Sequence, residues 1–243
     1  GYCYVIIFTT REREKEGRFM ICVDNVLYQP YGTSAYEVVG INEPATKVRV
    51  VSDIDGDVVK AIAMDAFMNN KTLEEIELPD SIESIFERAF SGCENLRKVS
   101  FYNCANRFGM ILCHPYTFCG CGNLREIIYQ NPQIFLPAYR EKGHEFDGCE
   151  NLVRFDGYLG HLTHSLFADC PNLEELTFWE TVEFDATAMD GCDGLRTVTF
   201  LGVIKENAPK NILEIMQTLK IKCTPKFNYQ EWVYDGAYIE YID

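Results

Sequence analysis

Thiols and imidazoles are the side chains with the most chemical reach in this sequence: eleven cysteines and four histidines among 243 residues. An odd cysteine count leaves at least one without a partner in the chain. Cys113, His114, Cys119 and Cys121 cluster, and His161 and His164 stand three residues apart, a donor set that zinc accepts. Neither spacing makes the paired Cys-x-x-Cys of a structural zinc site, so no metal site is assigned. Asp53, Asp55 and Asp57 imitate the start of a calcium loop. Gly56 is fourth and Met64 twelfth, however, where an EF-hand puts Gly sixth and Glu twelfth, so a β-turn is expected. No phosphate-cradling glycine loop, Gly-x-Ser-x-Gly elbow or His-Glu-x-x-His occurs. The expectation is no catalytic residue, no enzyme activity and no cofactor.

The cysteines make sense once a repeat is recognised. Asp65-Ala66-Phe67 is followed by Ala89-Phe90-Ser91-Gly92-Cys93-Glu94-Asn95-Leu96, and the same register returns at Phe118, Phe146, Phe167 and Met189. Successive anchors lie 23, 28, 28, 21 and 22 residues apart. Each is followed six residues later by Leu. Three residues past that Leu stand Ile76, Val99, Ile127, Phe155, Leu176 and Val198, and two further on Leu78, Phe101, Tyr129, Gly157, Phe178 and Phe200. A Leu-x-x-φ-x-φ segment is a short strand with alternate side chains facing inward, which one copy cannot bury without neighbours. Stacking is the physical solution.

These residues resemble the BspA type of bacterial leucine-rich repeat, roughly Ala-Phe-x-Gly-Cys-x-Asn-Leu-x-x-φ-x-φ-Pro-x-Ser-φ-x-x-φ. Ala66 to Phe90 matches best, with Leu78-Pro79-Asp80-Ser81-Ile82-Glu83-Ser84-Ile85 as the return half. Asn70 stands where the first copy should have cysteine, Met189 replaces the last Phe, and two copies carry extra residues at 102–117 and 130–145. The resemblance implies a mostly β fold with short helical turns, arranged as a right-handed leucine-rich-repeat solenoid in one continuous domain. Residues 1–60 would form an N-terminal β cap, 61–201 six repeats, and 202–243 a helix-plus-hairpin C-terminal cap.

The flanks agree with capping, since the open end of a stack is an unpaired edge. A hairpin is expected around Tyr31-Gly32-Thr33-Ser34, and Lys47 to Val59 as strand, Asp-Gly turn and strand. Ile212, Ile215, Met216 and Leu219 after Pro209 predict a short amphipathic helix, and Tyr229 to Tyr241 a hairpin about Asp235-Gly236. Cys93, Cys121, Cys149, Cys170 and Cys192 all fall three residues after an anchor and predict a structural ladder of buried free thiols.

With 22 Lys+Arg against 37 Asp+Glu the chain carries −15, which repels phosphate backbones and excludes nucleic-acid partners. The apolar run Tyr2 to Phe8 is far too short to span a bilayer, so no membrane insertion is expected. The chain opens at Gly1 and not at Met, which leaves a removed leader open. On the strands, positions two and four after the Leu are mixed and polar. Position six holds Tyr102, Gln130, Tyr158 and Trp179, an aromatic strip that either binds a ligand or packs beneath the two long segments. The family resemblance implies a non-enzymatic recognition or adhesion module at the cell surface or secreted, with a host or bacterial protein as partner. An intracellular, cytoplasmic interaction scaffold and a carbohydrate-binding module that uses the strip on a glycan are the alternatives.

Overall fold

A computed structural model describes residues 5–9, 18–102, 110–128, 133–136, 143–159, 161–178, 183–185, 187–201, 220–223 and 238–241. The described part is mostly β and contains no helix. Where short helical turns were expected, each anchor segment is a chain of tight turns instead, as in Cys93 N–H to Phe90 O at 3.1 Å and Leu96 N–H to Cys93 O at 3.0 Å. The cause is local: residues two before and two after the anchor have left-handed backbone, for example Arg88 at φ 56° and Gly92 at φ 70°. Such residues interrupt any helix.

The chain opens with an antiparallel meander of β1 (Val5–Thr9), β2 (Arg18–Val23), β3 (Val26–Pro30) and β4 (Ala35–Ile41). The β3–β4 hairpin is the one expected around Tyr31. Before it, Asp24 and Asn25 turn the chain between β2 and β3 with φ 47° and 70°. Next come β5 (Lys47–Arg49) and the hairpin of β6 (Asp53–Ile54) and β7 (Asp57–Ile62), whose turn is Asp55-Gly56. The three aspartates therefore surround a β-turn.

Each repeat then gives a strand after its Leu: β8 (Glu75–Pro79), β10 (Lys98–Tyr102), β12 (Glu126–Ile128), β14 (Arg154–Leu159), β16 (Glu175–Phe178) and β18 (Thr197–Phe200). Between them lie return strands β9 (Ser84–Ile85), β11 (Met110–Cys113), β13 (Gln133–Leu136), β15 (His161–Leu162) and β17 (Glu183–Phe184). The last described strands are β19 (Lys220–Cys223) and β20 (Tyr238–Tyr241).

Pairing is parallel from repeat to repeat. One four-stranded sheet runs β12-β10-β8-β5, so the ladder includes β5, upstream of the first anchor, with Lys47 opposite Glu75. The large sheet runs from the meander through β7, β9, β11 and β13 to β14, then along β16, β18, β19 and β20. Strand β14 is the crossover: Arg154 to Gly157 pair with β16, whereas Tyr158 and Leu159 pair with β13. At the C-terminal end β20 lies parallel to β19, register Lys220 with Tyr238, and is a further rung. The first arm of the expected hairpin and the amphipathic helix lie outside the described residues.

The core is a stack of rings. Phe67, Phe90, Phe118, Phe146 and Phe167 are buried one above the next, with centroids 5.0, 5.3, 5.4 and 5.5 Å apart and planes within 15° of parallel. The nearly equal spacing follows from the repeat, since hydrogen bonds lock each turn to the next: Phe90 N–H to Thr117 O at 2.9 Å, Gly92 N–H to Cys119 O at 2.7 Å. Asn95, Asn123, Asn151 and Asn172 add a second tie, donating Nδ2–H to a carbonyl of the preceding repeat at 2.7 to 2.8 Å. Each such bond contributes about 1 kcal/mol and fixes the repeat-to-repeat spacing.

Candidate functional site

The five repeat cysteines carry free thiols. Cys93, Cys121, Cys149 and Cys170 are buried and Cys192 is half-buried. Each Sγ–H donates backward to the carbonyl of the preceding anchor: Cys93 to Phe67 at 3.0 Å, Cys121 to Phe90 at 3.1 Å, Cys149 to Phe118 at 3.3 Å, Cys170 to Phe146 at 3.1 Å and Cys192 to Phe167 at 3.0 Å. Asn70 now has a reason. The first repeat has no earlier anchor to receive a thiol, and the Asn70 amide oxygen instead accepts Thr72 N–H and Leu73 N–H, both at 2.9 Å. Burial pushes the Cys93 and Cys192 thiols up to about 12 and raises those of Cys121 and Cys149 well above the usual thiol range, so they stay neutral and unreactive.

The metal candidates stay dispersed in chemistry. Cys113 and Cys121 are buried, and His114 packs its ring 4.9 Å from Phe86. Among the described residues no three metal-capable side chains converge. His164 turns its Nδ1 to the Thr187 hydroxyl at 2.8 Å, and the His161 side chain lies outside the described residues. Among the described residues no helix is long and apolar enough to cross a membrane.

The exposed face of the ladder is where side chains form ordered columns. Position two alternates in charge along Lys47, Glu75, Lys98 and Glu126, then Arg154 and Glu175. Opposite charges across neighbouring strands stabilise a sheet. Lys47 pairs with Glu75 at 3.0 Å, holding that carboxyl below its usual range, and Arg49 pairs with Glu77 at 3.1 Å. Lys47, Arg49 and Glu77 are exposed and Glu75 is half-buried, so these pairs set pattern more than stability.

The aromatic strip is only partly in view. Tyr102, half-buried at the end of β10, donates its hydroxyl to the Val50 carbonyl and lies beneath the Arg49 guanidinium, 4.1 Å from the ring centroid. Tyr158 is half-buried on the β13 side of the crossover strand, opposite Phe135. The two therefore sit in different sheets. Gln130 and Trp179 lie outside the described residues.

Two features escaped sequence reasoning. The ladder is open between β12 and β14, where no backbone pairing joins the strands among the described residues. Glu145 occupies the column before the anchor, which elsewhere holds Ala66, Ala89, Thr117, Leu166 and Ala188. It is fully buried; Oε2 accepts the Thr163 hydroxyl at 3.2 Å and Oε1 has no partner. Burial pushes its carboxyl up to about 7. Aligning the column would have exposed it, since one Glu among small and apolar residues is a visible break.

Against this geometry the comparisons are specific about the repeat. A leucine rich cell surface protein from Faecalibacterium prausnitzii shares the fold, with 12% identity over 83% of this chain and 69% of its own, at a TM-score of 0.52. A leucine rich repeat protein of T. pallidum aligns at 21% identity over 74% of this chain and 84% of its own, with a TM-score of 0.42. Among curated proteins none matches the chain. A protein-family profile described as BspA type leucine rich repeat region matches six copies over residues 114–215. Phe anchor, glycine turn, thiol ladder, Asn tie and Leu strand are thus one device, and residues 114–215 of this chain match the BspA type of leucine-rich repeat.

Proposed function

We propose that this chain is a non-enzymatic protein-recognition module of a bacterial surface or secreted protein. In this proposal the repeats of 61–201 form a right-handed solenoid closed by the segments 1–60 and 202–243. The observation that carries it is the ladder face, whose parallel strands hold charged and polar side chains in fixed columns. Side chains preorganised on a rigid sheet lose little entropy when a partner docks, which favours recognition. Leucine-rich repeats generally mediate protein interactions, and the Faecalibacterium protein that shares the fold is named a cell surface protein, both of which support the proposal. Tyr158 and Trp179, with Tyr102 and Gln130 at the same position of their repeats, are the proposed contact residues, since aromatic rings give large contact area at low entropic cost.

The test is a biosensor screen of the purified chain against extracellular-matrix proteins, mucins and glycans, beside the Tyr158→Ala/Trp179→Ala variant. The expected outcome is saturable binding to a protein that weakens at least about tenfold in the variant at unchanged melting temperature. Binding to glycans alone, or no binding by demonstrably folded protein, overturns the proposal.

A further inference from the structure

The break in the ladder has a physical signature beyond the missing pairing. Below it the two repeats remain locked: Phe118 N–H donates to Glu145 O at 2.8 Å, Gly120 N–H to Asp147 O at 2.7 Å, and Asn151 N–H to Gly122 O at 3.1 Å. The stack is thus closed on the turn side and open on the strand side. Strand β14 leaves the ladder for β13 at Tyr158, and Gly157 supplies no side chain where other rungs have Leu78, Phe101 and Phe178.

Opening the ladder uncovers part of the core. Ile76, Val99, Phe155, Leu176 and Val198 are buried at the third strand position, whereas Ile127 in the same register is half-exposed. Ile128 is half-exposed beside it, and Val153 at the rim is 43% exposed. A cavity of about 320 Å³ is lined by Ile127, Ile128 and Phe155, with Arg154, Thr177 and the carboxylates of Asp156 and Glu175 at its polar side. Next to it a second, of about 670 Å³, carries Arg97, Lys98, Arg125 and Arg154 with four glutamates. In a chain of net charge −15 this is a locally balanced stretch, where an acidic segment meets little repulsion.

Three of those cations, Lys98, Arg125 and Arg154, form no ion pair among the described residues. Arg97 pairs with Glu74 and Arg196 with Glu174, and Arg125 and Arg154 lie on either side of the break. Arg154 stands opposite Glu175 in the register of the strand pair. Unpaired strand edges accept an extended backbone, and pockets for alternate side chains supply the specificity.

We propose that the slot between β12 and β14 is a docking site for an extended peptide of a partner protein that presents an apolar side chain next to a carboxylate. The apolar side chain covers Ile127, Ile128 and Phe155, and the carboxylate meets Arg125 and Arg154. The inference rests on the protein-recognition proposal and names the place and chemistry of entry.

The experiment uses the whole chain and short fluorescein-labelled peptides with a central Leu flanked by Asp, beside the same peptides with Lys for Asp. Fluorescence anisotropy is read for wild type, for Arg125→Glu/Arg154→Glu and for Ile128→Arg, which fills the slot from a half-exposed position. Val153→Arg, at the exposed rim, replaces Ile128→Arg if the latter lowers the melting temperature. The expected result is binding of the Asp peptides, at least about tenfold weaker for the Lys peptides and for each variant, and weakened by salt. Absence of Asp-peptide binding at millimolar concentration, or binding indifferent to the variants, overturns the slot. A matrix protein that binds wild type and Ile128→Arg equally removes the slot alone and leaves the recognition proposal standing, whereas a panel without any protein ligand removes that proposal.

Discussion

Replacing Glu145 by Gln isolates one buried charge. Glu145 is fully buried, with one oxygen on the Thr163 hydroxyl and the other unpartnered, and the buried Cys113 thiol, which feels its charge, is neutral. Burial raises the carboxyl from 4.5 to about 7. At about 1.4 kcal/mol per pH unit, the difference is about 3 kcal/mol. Because the folded value is the raised one, this stability is fully present below about pH 4.5 and is lost as the pH climbs through about 7. Urea unfolding of wild type should therefore show stability falling across that window, and Glu145→Gln should abolish that part of the fall. The amide adds a pH-independent offset from its own buried N–H groups, so the change between about pH 4 and pH 8, and not stability at one pH, is the quantity to compare. All other groups are common to both proteins and cancel in the comparison. Parallel pH profiles for the two proteins would refute the assignment of a buried, ionisable Glu145.

Two further outcomes follow from the stack. Cys149→Ala should cost about 1–2 kcal/mol by removing the thiol bond to the Phe118 carbonyl and leaving a small void, read by urea unfolding, while the ladder thiols of wild type resist a thiol reagent until denatured. Phe118→Ala, which removes a fully buried ring between Phe90 and Phe146, should cost about 3–5 kcal/mol and broaden the unfolding transition, whereas Phe118→Leu should cost clearly less.

What the chain's sequence determined by itself is everything that recurs. The anchors, the Leu strands and the thiol register were legible because each repeat places the same residue in the same environment, so periodicity stands in for three-dimensional contact. The left-handed positions were legible for the same reason: Asn69, Gly92, Gly120, Gly148, Asp169 and Gly191, two residues past each anchor, are the residue types that adopt it, and all six do. Tertiary structure decided what happens once or between distant segments. That β5 and β20 are ladder rungs, that Tyr102 spends its hydroxyl on Val50, and that β14 abandons β12 for β13 depend on pairings across long stretches of chain. No local pattern encodes those partners. A strand's propensity says that it will pair, and only the competition among available edges, settled by what its neighbours can bury, says with which.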